Sequence, residues 1–177
     1  MIEVLRVQRH DFMNHLQVIL GLLQLQKYDR AGDYIKEVAA DMDQAGVLTR
    51  LGIPNIVSVV LLAQVSAEKQ GIHINNNIGT MLENGLQNEM TVAEIIREML
   101  DLAVRLSQTG PSFAGSIDFE IIETIGDYVF QVSFCSVQDV AADVLLMNEK
   151  SAGVQGNIMT GNSANGITVI TLTVPKN

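Results

Sequence analysis

Residues 2–26 carry two neighbouring apolar lines at helical spacing, and this pattern constrains the fold more than any other feature of the chain. One line steps by three and four residues through Leu5, Phe12 and Leu16, and the other, about a third of a turn away, runs through His15 and Leu22. A helix of a four-helix bundle needs two such seams, whereas a helix of a two-stranded coiled coil needs one. The pattern therefore predicts a bundle helix.

A second predicted helix follows from about residue 30 to residue 51, after a short break at residues 27–29. Asp29 is predicted as its N-cap, because a carboxylate accepts hydrogen bonds from the first free amides of a helix. A connection this short makes the two helices an antiparallel helical hairpin. Two helices cannot cover two apolar seams, so we expect a second copy of the chain to complete a dimeric four-helix bundle.

The chain changes character at Gly52-Ile53-Pro54, because proline disfavours helix at the residue before it. We therefore predict a hairpin domain over residues 1–52 and a second domain over residues 53–177. The second domain is predicted as α+β, with helices on one face of a mainly antiparallel sheet. Its predicted elements are helices at 55–70, 91–107 and 138–149 and strands at 72–78, 116–123, 128–134, 155–160 and 166–174. Gly71 is predicted at the C-terminal end of the first of these helices, and Thr91 with Glu94 as a capping box that opens the second. The second and third strands, and the fourth and fifth, are predicted to form two hairpins.

Composition excludes several classes of protein. The chain is 47% hydrophobic and 18% charged, which is typical of a folded domain and not of a disordered one. A net charge of −9 argues against nucleic acid or an anionic membrane as the main partner. A single cysteine, no apolar run long enough to span a bilayer and no signal peptide predict a cytoplasmic protein.

His10 lies nearly opposite the middle of the apolar arc of the first helix, so it is predicted to face solvent. His15 lies within that arc and is predicted to be a packed histidine with a bonded ring nitrogen. Around His10 too few good ligands are present for zinc, and we predict no metal site. The only cysteine, Cys135, is far along the chain, which argues against a hydrolytic triad with that nucleophile.

A nucleophilic imidazole used alone remains for His10. On a rigid bundle, an exposed imidazole is accessible to the concave site of a partner protein. Arg6 and Arg9 are near enough by helical spacing to offset the charge of a phosphoryl group, and Asp11 or Asn14 to orient the ring or fix its tautomer. An ordinary surface histidine is the competing interpretation.

The residues 9–17, Arg-His-Asp-Phe-Met-Asn-His-Leu-Gln, together with 21–25 and 27–29, resemble the phosphoacceptor hairpin of the sporulation initiation phosphotransferase B family. The same signature occurs in sensor histidine kinases of the citrate/malate type. The resemblance implies a dimeric four-helix bundle with the phosphorylated histidine outside, at His10. It also implies an endospore-forming bacterium with sporulation receivers as partners.

The order of elements after Pro54 resembles a shortened histidine-kinase ATPase domain. In such kinases, the helix that corresponds to 91–107 carries two asparagines that help hold Mg²⁺ and ATP, and here Glu98 and Leu102 stand at those positions. The glycine-rich loop expected after a strand like 128–134 has no glycine, and the second glycine loop and the ATP lid are missing too. The resemblance therefore predicts a degenerate domain that binds no ATP.

We accordingly predict a phosphorelay phosphotransferase that passes a phosphoryl group between receiver aspartates of response regulators through His10. Arg6, Arg9, Asp11 and Asn14 are its predicted supporting residues. It needs no cofactor of its own, since the Mg²⁺ belongs to the receiver. The alternatives are a phosphoacceptor domain or fragment of a sensor kinase that is phosphorylated in trans, and a non-catalytic dimeric scaffold that binds receivers.

Overall fold

A computed structural model of the chain describes residues 2–107, 115–136, 138–162 and 166–176, without the side chains at 2–8, 11 and 40–45. The chain divides into two compact units, Met1–Val47 and Leu48–Asn177. The division falls in the last turn of a helix, because Leu48 and Leu51 are buried in the core of the second unit.

The elements are α1 (Ile2–Gln24), α2 (Tyr28–Thr49), α3 (Pro54–Glu68), β1 (His73–Ile78), α4 (Glu89–Ser107), β2 (Ser116–Glu123), β3 (Asp127–Cys135), α5 (Ala141–Ser151), a 3-10 turn (Ala152–Val154), β4 (Asn157–Asn162) and β5 (Ile167–Pro175).

A tight hydrogen-bonded cap ends α1. Gln26 adopts the left-handed conformation with φ 55°, its amide donates to the carbonyl of Leu23, and the amide of Lys27 donates to the carbonyl of Leu22. This is the Schellman arrangement, in which glycine is the usual residue at the left-handed position. The prediction of Asp29 as the N-cap of α2 is wrong, because the helix begins at Tyr28. Asp29 lies in the first turn, where its charge favours the positive end of the helix dipole.

The two helices of the first unit are linked by His15 and Tyr34. The Nδ1 of His15 lies 2.9 Å from the hydroxyl of Tyr34, and the two rings are 5.9 Å apart. The two residues stand at similar distances in sequence from the turn, as antiparallel helices require. His15 is half-buried and its ring nitrogen is bonded, so the prediction of a packed histidine is confirmed.

The first unit leaves a broad apolar surface uncovered. Large apolar side chains on both helices are 43 to 56% exposed: Phe12, Met13, Leu16, Val18, Leu20, Leu23 and Ile35. Single exposed apolar residues are ordinary, but a contiguous set along one helix marks an interaction surface.

The second unit is built on a five-stranded sheet in the order β1-β2-β3-β5-β4. β1 and β2 pair in parallel, and the other neighbouring strands pair antiparallel. The predicted hairpins of β2 with β3 and of β4 with β5 are therefore confirmed. Alternate residues of the strands are buried on one face only, as Phe119, Phe130 and Leu172 show, and α3, α4 and α5 cover that face. The prediction of an α+β domain with a one-sided sheet is confirmed.

α4 supplies the largest share of the helical core, and it begins earlier than expected. The predicted capping box at Thr91 and Glu94 is wrong, since the helix starts at Glu89 and both residues lie inside it. Asn88 closes the start instead: at φ 51° its carbonyl accepts from the amides of Thr91 and Val92, and its side-chain amide donates to the carbonyl of Gly153 at 2.8 Å. An asparagine tolerates this left-handed position better than most residues do.

α3 begins at Pro54, as a proline at the first helical position favours. Its end confirms the place predicted for Gly71. Gly71 has φ 71°, its amide donates to the carbonyl of Glu68, and the amide of Ile72 donates to the carbonyl of Ala67. α1 and α3 therefore end in the same hydrogen-bonded cap, with a glutamine at the left-handed position after α1 and a glycine at that position after α3.

Candidate functional site

His10 stands on the exposed side of α1 together with Asn14, one helical turn later. The Nδ2 of Asn14 lies 3.1 Å from the Nδ1 of His10, which is a hydrogen-bond distance. Residues four apart on a helix are neighbours, so α1 itself brings the two side chains together. The predicted exposure of His10 and the predicted contact with Asn14 are both present in the structure.

Of the other predicted site residues, the structure describes the side chain of Arg9 only. Arg9 is exposed next to His10. Arg6 and Asp11 belong to α1, but their side chains lie outside the described residues. Among the described residues, no group of three histidine, cysteine, aspartate or glutamate side chains is arranged to hold a metal ion.

The contact with Asn14 gives the two nitrogens of the His10 ring different surroundings. Nδ1 is engaged by the amide, and Nε2 is the other nitrogen of the ring. In a neutral imidazole one nitrogen carries the proton and the other carries the lone pair, and the hydrogen bond at the first decides the state of the second. Whether Nε2 carries the lone pair therefore depends on which atom of the Asn14 amide, nitrogen or oxygen, faces Nδ1.

The second unit has a cleft of about 410 Å³ between α4 and α5. Glu98 and Leu102, the residues predicted to stand at the asparagine positions of the kinases, both line it, as do Asp101, Leu146 and Met147. Burial raises the pKa of Asp101 above its usual value of 3.8, and Arg97 opposes this shift.

Two ion pairs cross this cleft from one helix to the other. Lys150 of α5 pairs with Glu98 of α4. Arg105 of α4 pairs with Asp143 of α5, with 2.9 Å between guanidinium nitrogen and carboxylate oxygen. Both cations of the cleft are thus engaged by carboxylates of the protein itself.

These residues do not fit Mg²⁺ and ATP. An aliphatic Leu102 offers no metal ligand, and the carboxylate of Glu98 is held by Lys150. A triphosphate would have to displace Glu98 and Asp143 from their cations and would then lie beside three carboxylates. No step of the chemistry is assigned to this cleft.

The segment that leads into α5 also differs from a glycine-rich phosphate loop. The Oδ1 of Asp139 accepts from the amide of Ala141 at 2.9 Å, and the Oγ of Ser136 accepts from the amide of Gln138 at 3.0 Å. These side chains accept hydrogen bonds from backbone amides that, in a phosphate-binding loop, would donate to the phosphate.

The two crossing ion pairs were missed from the sequence, although a signal for them exists. Glu98 and Arg105 are seven residues apart on α4, and Asp143 and Lys150 are seven apart on α5. Seven residues make two turns, so each helix presents an acid and a base on one side. The acid of one helix matches the base of the other when the helices run antiparallel.

Comparison with known proteins finds relatives among sensor kinases and phosphotransferases. Residues 1–51 match the family model described as the alpha-helical domain of SpoOB-type sensor kinases. The sporulation initiation phosphotransferase B of Bacillus subtilis is 43% identical over 56 residues, which is 32% of this chain and 29% of that protein. The sensor protein CitS of Bacillus subtilis is 29% identical over 206 residues, which covers 98% of this chain and 36% of CitS.

The chain spans about a third of the length of these curated relatives. The stretch aligned with CitS is longer than the 177 residues of the chain, so CitS carries segments there that this chain lacks. The sensor histidine kinase DcuS of Escherichia coli is 28% identical over 65% of this chain and 22% of DcuS.

Solved structures of histidine kinases share the fold. Histidine kinase AdeS of Acinetobacter baumannii has a TM-score of 0.55 at 11% identity, over 95% of this chain and 98% of that one. The catalytic domain of histidine kinase ThkA has a TM-score of 0.57 at 13% identity, over 70% of this chain and 92% of that one. The chain is therefore a histidine-kinase-like protein related to sensor kinases and to the sporulation phosphotransferase. Across the described helices, none combines the length and the apolar character needed to cross a bilayer.

Proposed function

We propose that this protein is a phosphorelay phosphotransferase that passes a phosphoryl group between receiver aspartates of response regulators through His10. The observation that carries the proposal is the exposed His10 on α1, held at Nδ1 by Asn14, within the segment that matches the SpoOB-type helical domain. The two-component relatives favour response regulators as partners. The match to the sporulation phosphotransferase favours a role in sporulation initiation, in the cytoplasm.

The chemistry needs little beyond position and charge. The lone pair of Nε2 attacks the phosphorus of a receiver phosphoaspartate, an N–P bond forms, and the P–O bond breaks to release the aspartate as a carboxylate. The second transfer reverses these bonds on the aspartate of another receiver. Arg9, with Arg6 one turn earlier, offsets the charge of the phosphoryl group, and Asp11 helps to orient the ring. The receiver supplies the Mg²⁺.

A dimer completes the first unit in this proposal. The uncovered apolar surface of α1 and α2 is what a second hairpin would cover in a homodimeric four-helix bundle. His10 lies away from the centre of this surface on the helical wheel, so pairing of two hairpins keeps the imidazole accessible.

The second unit takes no ATP in this proposal. The ion pairs of Glu98 with Lys150 and of Asp143 with Arg105, and the aliphatic Leu102, support it. The domain instead stiffens the dimer or shapes the surface that receivers contact.

Transfer of label from a receiver tests the function. Purified protein mixed with a ³²P-phosphorylated receiver is expected to gain a label that is labile in acid and stable in alkali. The label is lost in His10→Gln and kept in His15→Gln, and ATP alone gives no label and no binding. Label on His15, or full partner function of His10→Gln, contradicts the proposal.

A second candidate function has one specific observation in its favour. CitS aligns over 98% of this chain, including the second unit, which suits the phosphoacceptor part of a sensor kinase that another kinase phosphorylates in trans. Labelling of His10 by ATP only when a partner kinase is added, with no labelling from phosphorylated receivers, would favour this candidate over the phosphotransferase.

A further inference from the structure

The amide of Asn14 meets His10 at Nδ1, whereas the function proposed above uses Nε2 for transfer. The Nδ2 of Asn14 is 3.1 Å from the Nδ1 of His10, both residues are exposed, and both lie on one side of α1. A side-chain amide has a donor nitrogen and an acceptor oxygen of nearly the same shape, which exchange places when the amide turns over. Asn14 can therefore present either a hydrogen-bond donor or a hydrogen-bond acceptor to Nδ1 without moving along the helix.

Phosphoryl transfer, on the function proposed above, changes the partner that Nδ1 needs. Before transfer, a lone pair at Nε2 requires the proton at Nδ1, and Nδ1–H needs an acceptor. After transfer, the lone pair of Nε2 is used in the N–P bond. The ring is then neutral only when Nδ1 has lost its proton, and bare Nδ1 needs a donor. An aspartate could supply only the acceptor, and a lysine only the donor.

We infer that Asn14 is a positioning residue that turns its amide over with each transfer, accepting from Nδ1–H before it and donating to bare Nδ1 after it. The aspartate leaves as a carboxylate, and the Nδ1 proton passes to water. The arrangement of the described atoms, with Nδ2 at Nδ1, is the one that suits the phosphorylated ring.

The consequence is a phosphohistidine with a long lifetime. A protonated ring is a better leaving group than a neutral one, so a donor at Nδ1 slows loss of the phosphoryl group to water. Asn14 thus lengthens the time for which the protein keeps the phosphoryl group between the first receiver and the second.

Three variants test this inference. Asn14→Asp accepts but cannot donate, Asn14→Leu can do neither, and Gln17→Asp adds the same charge on the same exposed side of α1, about 10 Å from His10 along the axis. Each is labelled from a receiver and separated from it, and loss of the label is followed in buffer near neutral pH. Because charge-assisted hydrogen bonds are roughly twice as strong as neutral ones, we expect the half-life to fall about fivefold in Asn14→Asp. Gln17→Asp keeps the half-life of the wild type.

A measurement on the unphosphorylated protein tests the contact independently of any receiver. In ¹⁵N-histidine-labelled protein, the imidazole nitrogen shifts report which nitrogen carries the proton. We expect both tautomers of His10 in the wild type, mainly Nδ1–H in Asn14→Asp, and altered shifts in Asn14→Leu. The His15 shifts stay constant and show that the fold is retained.

Several outcomes would overturn the inference. They are an unchanged half-life in Asn14→Asp, an equal fall in Gln17→Asp, and identical His10 nitrogen shifts in all proteins. Failure of the wild type to accept label on His10 is a different result. It rejects the proposed function, while the nitrogen shifts still decide whether Asn14 governs the ring.

Discussion

At the scale of single residues, one cluster gathers side chains from the ends of four strands. Glu123, the last residue of β2, accepts a hydrogen bond from the hydroxyl of Thr80, and its Oε1 lies 2.7 Å from the Nζ of Lys176. Lys176 also lies over the ring of Tyr128, 5.4 Å from its centre. Hydrogen bonds from Lys176 and Thr80 lower the pKa of Glu123 from its usual 4.5. The cluster thus favours the charged carboxylate in the folded state.

Glu123→Gln is predicted to make the stability of the second unit less dependent on pH. Because the folded pKa of Glu123 is lowered, its charge stabilises the fold above the unfolded value of 4.5, and this contribution is lost as the pH falls through the folded pKa. The variant should be less stable than the wild type at neutral pH. The difference should vanish at acid pH, where the carboxyl is protonated in both states.

Urea unfolding at a series of pH values measures this difference. Glu149→Gln, which removes one negative charge from an exposed place on α5, is the control. If both variants lose the same stability at every pH, the cluster around Glu123 has no special role.

At the scale of elements, the two ion pairs fix α5 against α4. They cross the cleft at two heights, seven residues apart on each helix, so they resist both sliding and tilting of α5. The participating side chains are 28 to 65% exposed, and ion pairs of that exposure contribute little each. Their effect is mainly on position, and the apolar core under α5, through Val144 and Met147, supplies more of the stability.

Charge reversal is predicted to measure this crossing contact. Arg105→Asp or Asp143→Arg alone should each lower the free energy of unfolding by about 0.2–1 kcal/mol, because like charges then face each other. The double variant should recover most of the loss at low salt. A double-mutant cycle followed by urea unfolding gives the coupling, and high salt should reduce it.

A second cycle between Arg105 and Glu149, which is exposed near the end of α5, is the matched control and should show no coupling. Equal coupling in the two cycles would mean that only net charge matters and that the contact of Arg105 with Asp143 is unimportant.

The elements also show what a sequence of this kind predicts and what it does not. Sequence patterns predicted each helix and strand of the described chain. Periodicity was the signal where an element buries one side only, as the inner strands do, whereas α3 was predicted from its apolar composition and the proline and glycine that flank it. The caps were predicted less well. Gly71 was identified because glycine suits a left-handed position, whereas Gln26 and Asn88 hold the same conformation without that signal.

In the candidate site, helical spacing was enough for His10 and Asn14, since one helix fixes both side chains. The ion pairs of the cleft join helices far apart in sequence, so they depend on how α4 and α5 pack. The seven-residue spacing of acid and base on each helix indicates that each could form such pairs, but it does not say which two helices pack together.

At the scale of the whole molecule, the two units differ in how completely they bury their apolar side chains. The second unit encloses its own core, with Ile56, Phe119 and Leu172 fully buried or nearly so. The first unit has few buried apolar side chains among its described residues, and it leaves leucines of α1 about half exposed. A hairpin of this size needs further apolar contacts for independent stability.

The pairing of hairpins in the proposed dimer is predicted to fail when charge is placed in the apolar surface. Leu16→Glu or Leu23→Glu should raise the dimer dissociation constant by more than about tenfold, because burial of a leucine contributes about 1.5–3 kcal/mol and each change occurs twice in a symmetric dimer. Analytical ultracentrifugation over a concentration series measures this constant.

Leu145→Glu is the control, because Leu145 is 65% exposed on α5 in the second unit. A wild-type chain that sediments as a monomer at micromolar concentration, or a dimer that survives both changes in α1, would contradict the prediction.

The sequence distance of the contacts in the two units has a kinetic consequence. The contact of His15 with Tyr34 closes a loop of 19 residues, whereas the pairing of β1 with β2 joins residues 43 apart. Local contacts form faster than distant ones, and the amino-terminal part of a chain leaves the ribosome first. We therefore expect the hairpin to begin to form while the sheet is still incomplete. In the proposed dimer, its uncovered leucines then meet those of a neighbouring nascent chain, and assembly of the pair is expected to begin before the rest of either subunit has folded.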